Sequence, residues 1–290
     1  MRKNNLLQFH QSMNLKDFIN NALAEDIGNG DHTSLACIPE KAISKAHLLV
    51  KDDGIIAGIK VALQIFNEVD PQLAIHLFLK DGDAVKKGDI VFIVEGKAQS
   101  ILKAERLVLN CMQRMSGIAT ATHKIVAELN GLKTKVLDTR KTTPGVRLIE
   151  KMAVKIGGGT NHRFGLYDMI MIKDNHVDYA GGIEKSILAA NKYLENNKLK
   201  LKIEIEARSV KEVKEILKVG KINRIMLDNF SIENLKTAVA LIGGKYETEA
   251  SGGITIDTIR NYALCGVDFI SVGALTHSVK SLDLSLKAIK

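Results

Sequence analysis

Six short segments of this 290-residue chain end in residues able to bind or move charge. Asp138-Thr139-Arg140-Lys141 opens the series, and Lys173-Asp174-Asn175-His176 follows. Glu204-Ile205-Glu206 and Asp228-Asn229 supply carboxylates, while Ser251-Gly252-Gly253 and Gly273-Ala274-Leu275-Thr276-His277 supply two glycine-containing loops. Arginine presents a planar fork matched to a carboxylate, and lysine a point charge matched to a phosphate. Arg140, Lys141, His162, Arg163 and Lys173 therefore form a candidate cationic set for an anionic ligand, with His162 and Arg163 close to Gly157-Gly158-Gly159, where backbone can approach a ligand. Carboxylates such as Glu206 and Asp228 suit Mg2+ or ribose hydroxyls. Strand alternation puts Glu204 on the same face as Glu206, and Glu206 stands nearer the strand end. Glycine-rich turns before helices suit phosphate through their backbone N–H groups.

Each of these segments follows an apolar, strand-like run: Lys135–Leu137, Met169–Ile172, Leu201–Glu206, Arg224–Leu227, Tyr246–Ala250 and Phe269–Val272. Helical patterns lie between them at Arg147–Ile156, Tyr179–Leu194, Val210–Val219, Ile232–Leu241 and Ile256–Leu264. Such alternation predicts a parallel sheet with crossover helices, whose ligands gather at the carboxyl ends of the strands. The stretch is shorter than the ~250 residues of a full eight-fold barrel. An incomplete, open α/β barrel of about six or seven parallel strands fits it better. The region before it reads as α+β. A helix starts at Leu15 after Asn14 and stops in a loop over 25–34; strands follow at Ala46–Lys51, Leu73–Leu79 and Ile90–Val94, with a helix at Ile59–Asn67. A long helical pattern then covers Gln99–Leu129. The turns over 80–89 resemble half of a lipoyl- or biotinyl-carrier sheet with Lys97 as attachment point, but neither the carrier's second half nor its lysine hairpin is evident, so turns in a small sheet are the preferred reading.

Composition narrows the classes. The net charge of +8 favours an anionic partner. Aromatics are only 4% of residues and Trp is absent, which leaves few platforms for stacking single-stranded nucleic acid. No apolar run reaches the ~18 residues of a membrane span, and the start of the chain does not read as a signal peptide. Cys37, Cys111 and Cys265 lie far apart, so a reduced cytoplasmic protein is expected. His10, His47, His76 and His123 have no acid or thiol partners in a recognisable pattern, and read as packing or surface residues. Hydrolase, zinc and nucleotide-triphosphatase motifs are missing.

Several segments, in order across nearly the whole chain, resemble the quinolinate phosphoribosyltransferase family. They are Glu25-Asp26-Ile27-Gly28 with Gly30-Asp31, Glu105-Arg106 with Asn110, Met115-Ser116-Gly117-Ile118-Ala119-Thr120 and Asp138-Thr139-Arg140-Lys141-Thr142-Thr143-Pro144-Gly145. Gly157-Gly158-Gly159 with Asn161-His162-Arg163, Lys173-Asp174-Asn175-His176, Leu227-Asp228-Asn229-Phe230, Ser251-Gly252-Gly253 and the segment from Gly273 to Ser278 complete the set. Ala207-Arg208 after Glu206 departs from the family pattern. The resemblance implies an N-terminal α/β sandwich domain over 1–115, rejoined by 278–290, and a barrel phosphoribosyltransferase domain over 116–277. It implies transfer of phosphoribosyl from phosphoribosyl pyrophosphate to quinolinate with loss of CO2, giving nicotinate mononucleotide and pyrophosphate in NAD biosynthesis.

By the same resemblance, quinolinate is expected at Arg106, Thr139, Arg140, His162, Arg163 and Lys173. Phosphoribosyl pyrophosphate is expected at Lys141, Glu206, Asp228, Ser251, Gly252, Gly253, Gly273 and His277. Lys141, Glu206 and Asp228 are the expected catalytic residues, with Mg2+ near Glu206 and Asp228, held partly through ligand or water. A homodimer with Arg106 reaching into the neighbouring site is implied, with assembly up to a hexamer left open. Neither nucleic acid nor membrane is an expected partner. A molybdenum-operon paralogue acting on another aromatic acid, a nicotinate phosphoribosyltransferase and a metabolite-binding regulator remain as alternatives; the whole cationic set favours a dicarboxylate substrate.

Overall fold

A computed structural model describes residues 14–289. His10 and the basic start of the chain at Met1–Gln8 lie outside the described residues. The chain falls into two compact units: residues through Ala121 with Thr142–Gly157 and the segment from Ser278, and Thr122–Lys141 with Gly158–His277. Residues 142–157, grouped with the barrel in the sequence reading, thus cluster with the first unit.

The first unit begins with α1 (Leu15–Ile27), whose N-cap Asn14 accepts the Asp17 N–H at 2.8 Å. The loop expected over 25–34 instead contains the start of a second short helix, α2 (His32–Cys37). Asp31 makes it possible by accepting the Ser34 N–H at 3.0 Å, which satisfies one of the orphan donors of the first turn. Then come β1 (Ile43–Val50), β2 (Gly54–Ile55), α3 (Ile59–Val69), β3 (Ala74–Leu77), β4 (Ala84–Val85), β5 (Ile90–Lys97) and α4 (Ala98–Ala127). Lys97 closes β5 and runs straight into α4, with no carrier hairpin around it.

Onward lie β6 (Lys135–Leu137), α5 (Arg147–Ile156), β7 (Ile170–Ile172), α6 (Asp174–Ala180), α7 (Ile183–Asn197), β8 (Ile203–Ala207) and α8 (Val210–Val219). The chain ends with β9 (Arg224–Asp228), α9 (Ile232–Ile242), β10 (Glu247–Ser251), α10 (Ile259–Ala263), β11 (Phe269–Ser271), α11 (Ala274–His277) and β12 (Leu284–Ile289). The single helix expected over Tyr179–Leu194 is two helices, because Gly181 and Gly182 both take positive φ between them.

In the first unit β12, β1, β5 and β3 form one antiparallel sheet in that order, and β2 pairs with β4. Phe66 of α3 packs edge-on against Phe92 of β5, ring centroids 5.8 Å apart. The Met115–Thr120 segment is structural. Ser116 Oγ accepts the buried Ala57 N–H at 2.9 Å, and Thr120 Oγ1 accepts the Ile55 N–H at 2.9 Å. Leu282 N–H reaches Gln113 O at 3.0 Å and the Gln113 amide reaches Leu284 O at 2.9 Å, which fastens the segment leading into β12 to α4.

The second unit holds six parallel strands in the order β6-β11-β10-β9-β8-β7. Successive strands lie side by side and the last, β11, returns to the first, β6. The ring lacks hydrogen bonding between β6 and β7; a single parallel bridge, Leu137 to Thr160, extends it there. This is an open α/β barrel. Ile205, Ile225, Leu227, Ala250 and Ile270 are fully buried along its strands. No helix among the described residues is long and apolar enough to cross a membrane.

Candidate active site

The strand order brings the charged segments together, because parallel strands deliver their carboxyl ends to one rim. A cavity of about 950 Å³ opens there, and its lining belongs to the second unit alone. Thr139, Arg140, Lys141, His162, Arg163, Lys173, Glu206, Asp228, Ser251, Gly252, Gly253, Gly273 and His277 all line it. Arg106 does not; it is exposed on α4 in the first unit.

After β6, the fully buried Asp138 accepts the His162 backbone N–H at 2.8 Å. Lys141 is fixed through its backbone. Its N–H donates to Thr139 Oγ1 at 3.0 Å, and its carbonyl accepts the Thr276 hydroxyl of α11 at 2.8 Å. Gly273 allows this closeness, since a Cβ there would lie 3.1 Å from Lys141 Cδ and 3.2 Å from His277 Nε2. The lysine stem and the imidazole thus meet over one glycine.

Arg163 donates from Nη1 to Met169 O at 3.2 Å. Burial, and then the neighbouring Arg140 guanidinium, hold its pKa below the ordinary arginine value. Both arginines line the cavity, where a planar guanidinium can meet a carboxylate. Lys173 Nζ lies 3.4 Å from Glu206 Oε2. Burial pushes the Glu206 carboxyl above the usual range, and nearby Asp228 adds to this while Lys173 opposes it. Glu206, next to the end of β8, is buried, and Asp228, at the end of the adjacent β9, is half-buried. Two hard oxygen donors converging beside an open cavity fit Mg2+, which retains part of its water shell and takes one or two carboxylates.

At the floor of the cavity lies a buried ionic layer of which the sequence reading assigned only His162. His162 Nε2 is 3.1 Å from Glu204 Oε2 and 3.3 Å from Glu249 Oε2. Arg224 Nη1 is 3.2 Å from Glu249 and 3.8 Å from Glu204, and its guanidinium lies 4.0 Å over the Phe269 ring. Burial disfavours a charged His162, but hydrogen bonds to Glu204 and Glu249 outweigh it and raise the imidazole to about 9. Burial, then Glu249, raises Glu204 to about 7. Glu249 is also buried, yet His162 holds it below the usual range.

His162 Nδ1 meanwhile accepts the Arg163 N–H at 2.6 Å, an arrangement that favours a neutral ring. The two indications are reconciled if the layer as a whole holds one proton, because two carboxylates and one guanidinium need one more positive charge. A ring accepting at Nδ1 already carries its hydrogen on Nε2 and is neutral, so the additional proton is one shared between His162 and Glu204, whose carboxyl burial raises to about 7. With Arg224 and this proton present, the layer is charge-balanced without a metal ion, although its three ligand-type side chains lie within 4.8 Å of one another. Glu247 and Glu249 at alternate positions of β10 were the available signal, matching Glu204 and Glu206 on β8.

The chain's similarity to known proteins covers both units. Residues 31–116 match the quinolinate phosphoribosyl transferase N-terminal domain, and residues 118–287 match the C-terminal domain. The mitochondrial quinolinate phosphoribosyltransferase [decarboxylating] 2 of Nicotiana glauca is 49% identical over 293 aligned positions, covering 96% of this chain and 83% of that protein. A probable nicotinate-nucleotide pyrophosphorylase [carboxylating] of Bacillus subtilis is 42% identical, covering 94% of this chain and 93% of that one. Among solved structures, NadC from Streptococcus pyogenes superposes with a TM-score of 0.89 at 38% identity, covering 95% of this chain and 97% of that one.

Proposed function

Because the chain belongs to the quinolinate phosphoribosyltransferase family, we propose that it transfers phosphoribosyl from phosphoribosyl pyrophosphate to quinolinate, releasing pyrophosphate and CO2 and forming nicotinate mononucleotide for NAD biosynthesis. The observation that carries this reading is the single strand-end cavity, lined by cations from the β6 and β7 side, carboxylates from β8 and β9, and glycine-containing loops from β10 and β11. Arg140, Arg163 and Lys173, with Thr139, face the two carboxylates of quinolinate. His162, with both ring nitrogens engaged inside the protein, closes the floor of that pocket and braces Arg163 through its backbone N–H.

Lys141, Ser251, Gly252, Gly253, Gly273 and His277 cradle the donor's phosphates, and Glu206 and Asp228 hold its ribose hydroxyls. The same two carboxylates would hold Mg2+, whose contribution is to neutralise charge on the departing pyrophosphate. The pyridine nitrogen bonds to C1′ as the bond to pyrophosphate breaks. Positioning and fixed charge carry the step, with no strong base needed. The carbon beside the now cationic nitrogen then loses CO2. The electron pair left behind is stabilised by that nitrogen and takes up a proton.

Arg106 belongs to this site from a neighbouring subunit of a homodimer, and the reading is supported by its exposure on α4 of the first unit. Higher assembly up to a hexamer is compatible with it. A cytoplasmic location is supported by three separate, unpaired cysteines. The deciding experiment incubates the purified protein with phosphoribosyl pyrophosphate, Mg2+ and either quinolinate or nicotinate, and detects nicotinate mononucleotide and CO2. Product from quinolinate alone supports the reading. Product from nicotinate alone, or from neither in a folded protein, overturns it.

A further inference from the structure

Asn229 stands between the carboxylate of β9 and the glycine loop of β10, and three separate contacts put it there. Its side-chain Nδ2 donates to Asp228 Oδ2 at 2.6 Å. Its backbone N–H donates to Ser251 O at 2.8 Å. Its Oδ1 and Cγ lie against Gly252, where a Cβ would run into Oδ1 and stand 2.6 Å from Cγ and 2.9 Å from the Asn229 nitrogen. The amide orientation is determined, because a carboxylate only accepts and must face the NH2 group. Asn229 also has φ 55°, the left-handed region that asparagine tolerates better than most residues with a side chain. Gly252, with φ 98°, meets it from the other side.

We propose that Asn229 is a positioning residue that sets Asp228 in register with the Ser251–Gly253 loop, so that the carboxylate and the phosphate-binding backbone present themselves to one donor molecule together. This rests on the proposed function for the identity of the donor. The geometry supplies the rest: one side chain touches both groups, and neither can shift without moving it. An Asp228 released from the amide could rotate away from the cavity, and the loop would lose the wall that keeps residue 252 a glycine.

The test uses two variants of the full chain. Asn229→Gly keeps the left-handed backbone and removes the amide, and Asn229→Asp keeps shape and volume but sets a carboxylate against Asp228. Binding of Mg2+-phosphoribosyl pyrophosphate and of quinolinate is measured by calorimetry, alongside turnover. We expect donor affinity and kcat/KM for the donor to fall at least tenfold in both variants, Asn229→Asp further, with quinolinate affinity within twofold of wild type. A merely structural role predicts that Asn229→Gly lowers both affinities together or neither, and either result overturns the proposal. If either variant does not fold, the other and its quinolinate affinity decide. A wild-type protein that forms no product but binds the donor would overturn the proposed reaction, while the two variants still report on Asn229 through donor binding.

Discussion

Lys173 Nζ approaches Glu206 Oε2 to 3.4 Å, joining the end of β7 to the end of β8 across the cavity wall. The lysine is about half exposed and the carboxylate nearly buried, at 47% and 8%. The ammonium therefore keeps a partly desolvated Glu206 ionised while remaining available to a ligand. Lys173→Met should remove both services. We expect kcat/KM for quinolinate to drop by roughly 10- to 100-fold, the worth of one charge-assisted hydrogen bond. Steady-state kinetics at saturating donor would show it, and a change below twofold would take Lys173 out of the site.

Arg140 and Arg163 share one wall of the cavity. Arg140→Lys preserves the charge but not the planar fork, so a bidentate carboxylate contact is lost. The expected result is about a tenfold or greater fall in kcat/KM for quinolinate with donor KM little changed. Full activity in this variant would show that Arg140 makes no directional contact with the substrate.

A shared site across a dimer has its own signature. Arg106→Ala subunits and Arg140→Ala subunits should each be inactive alone. Random re-pairing after mixing places them in mixed dimers half the time, each with one intact site, so about a quarter of wild-type activity should return. Absence of any recovery, with exchange of subunits shown by a tagged copy, would place Arg106 outside the neighbour's site.

The buried layer of His162, Glu204, Glu249 and Arg224 predicts an alkaline weakness. The folded imidazole is raised from 6.5 to about 9, so its stabilising contribution is complete below pH 6.5 and fades as pH climbs through 9. Asp138 accepts the His162 backbone N–H at 2.8 Å. Thermal unfolding between pH 7 and 10 should reveal a loss on the order of 1–3 kcal/mol. Glu204→Gln removes one negative charge from the layer and should flatten that decline. An equally steep curve in the variant would count against a layer-held proton.

Ser116→Ala separates packing from chemistry. Its hydroxyl caps the buried Ala57 N–H, and an unsatisfied buried donor costs about 1–3 kcal/mol. The melting temperature should fall while kcat/KM stays within twofold of wild type. A selective loss of activity would mean that the Met115–Thr120 segment has a role in the site.

Where apolar periodicity and end signals agree, the sequence was sufficient. Lys135–Leu137, Arg147–Ile156 and Val210–Val219 have the same bounds as sequence pattern and as observed elements. The rim was also legible, since in a parallel sheet whatever follows each strand must gather on one side. What stayed hidden depends on neighbours that only the sheet creates. Arg224 reads as an ordinary charge at a strand start, until β8 and β10 flank it and put Glu204 and Glu249 within its reach. Asn229 gives no local hint of bridging Asp228 to Gly252, because the loop it leans on comes from the next strand. The break at Gly181-Gly182 was visible as two glycines, but the helical pattern on both sides masked it.

The pairing of the last barrel strand with the first has a consequence for how the protein is made. Lys141 finds the hydroxyl that anchors it 135 residues later in the chain, at Thr276. A ribosome must therefore synthesise nearly the whole barrel before this side of the rim can close. Contacts of such long sequence separation form slowly and late. Chains that stop short of β11 carry the cations without their counterpart loop, so premature termination yields products that lack the completed site.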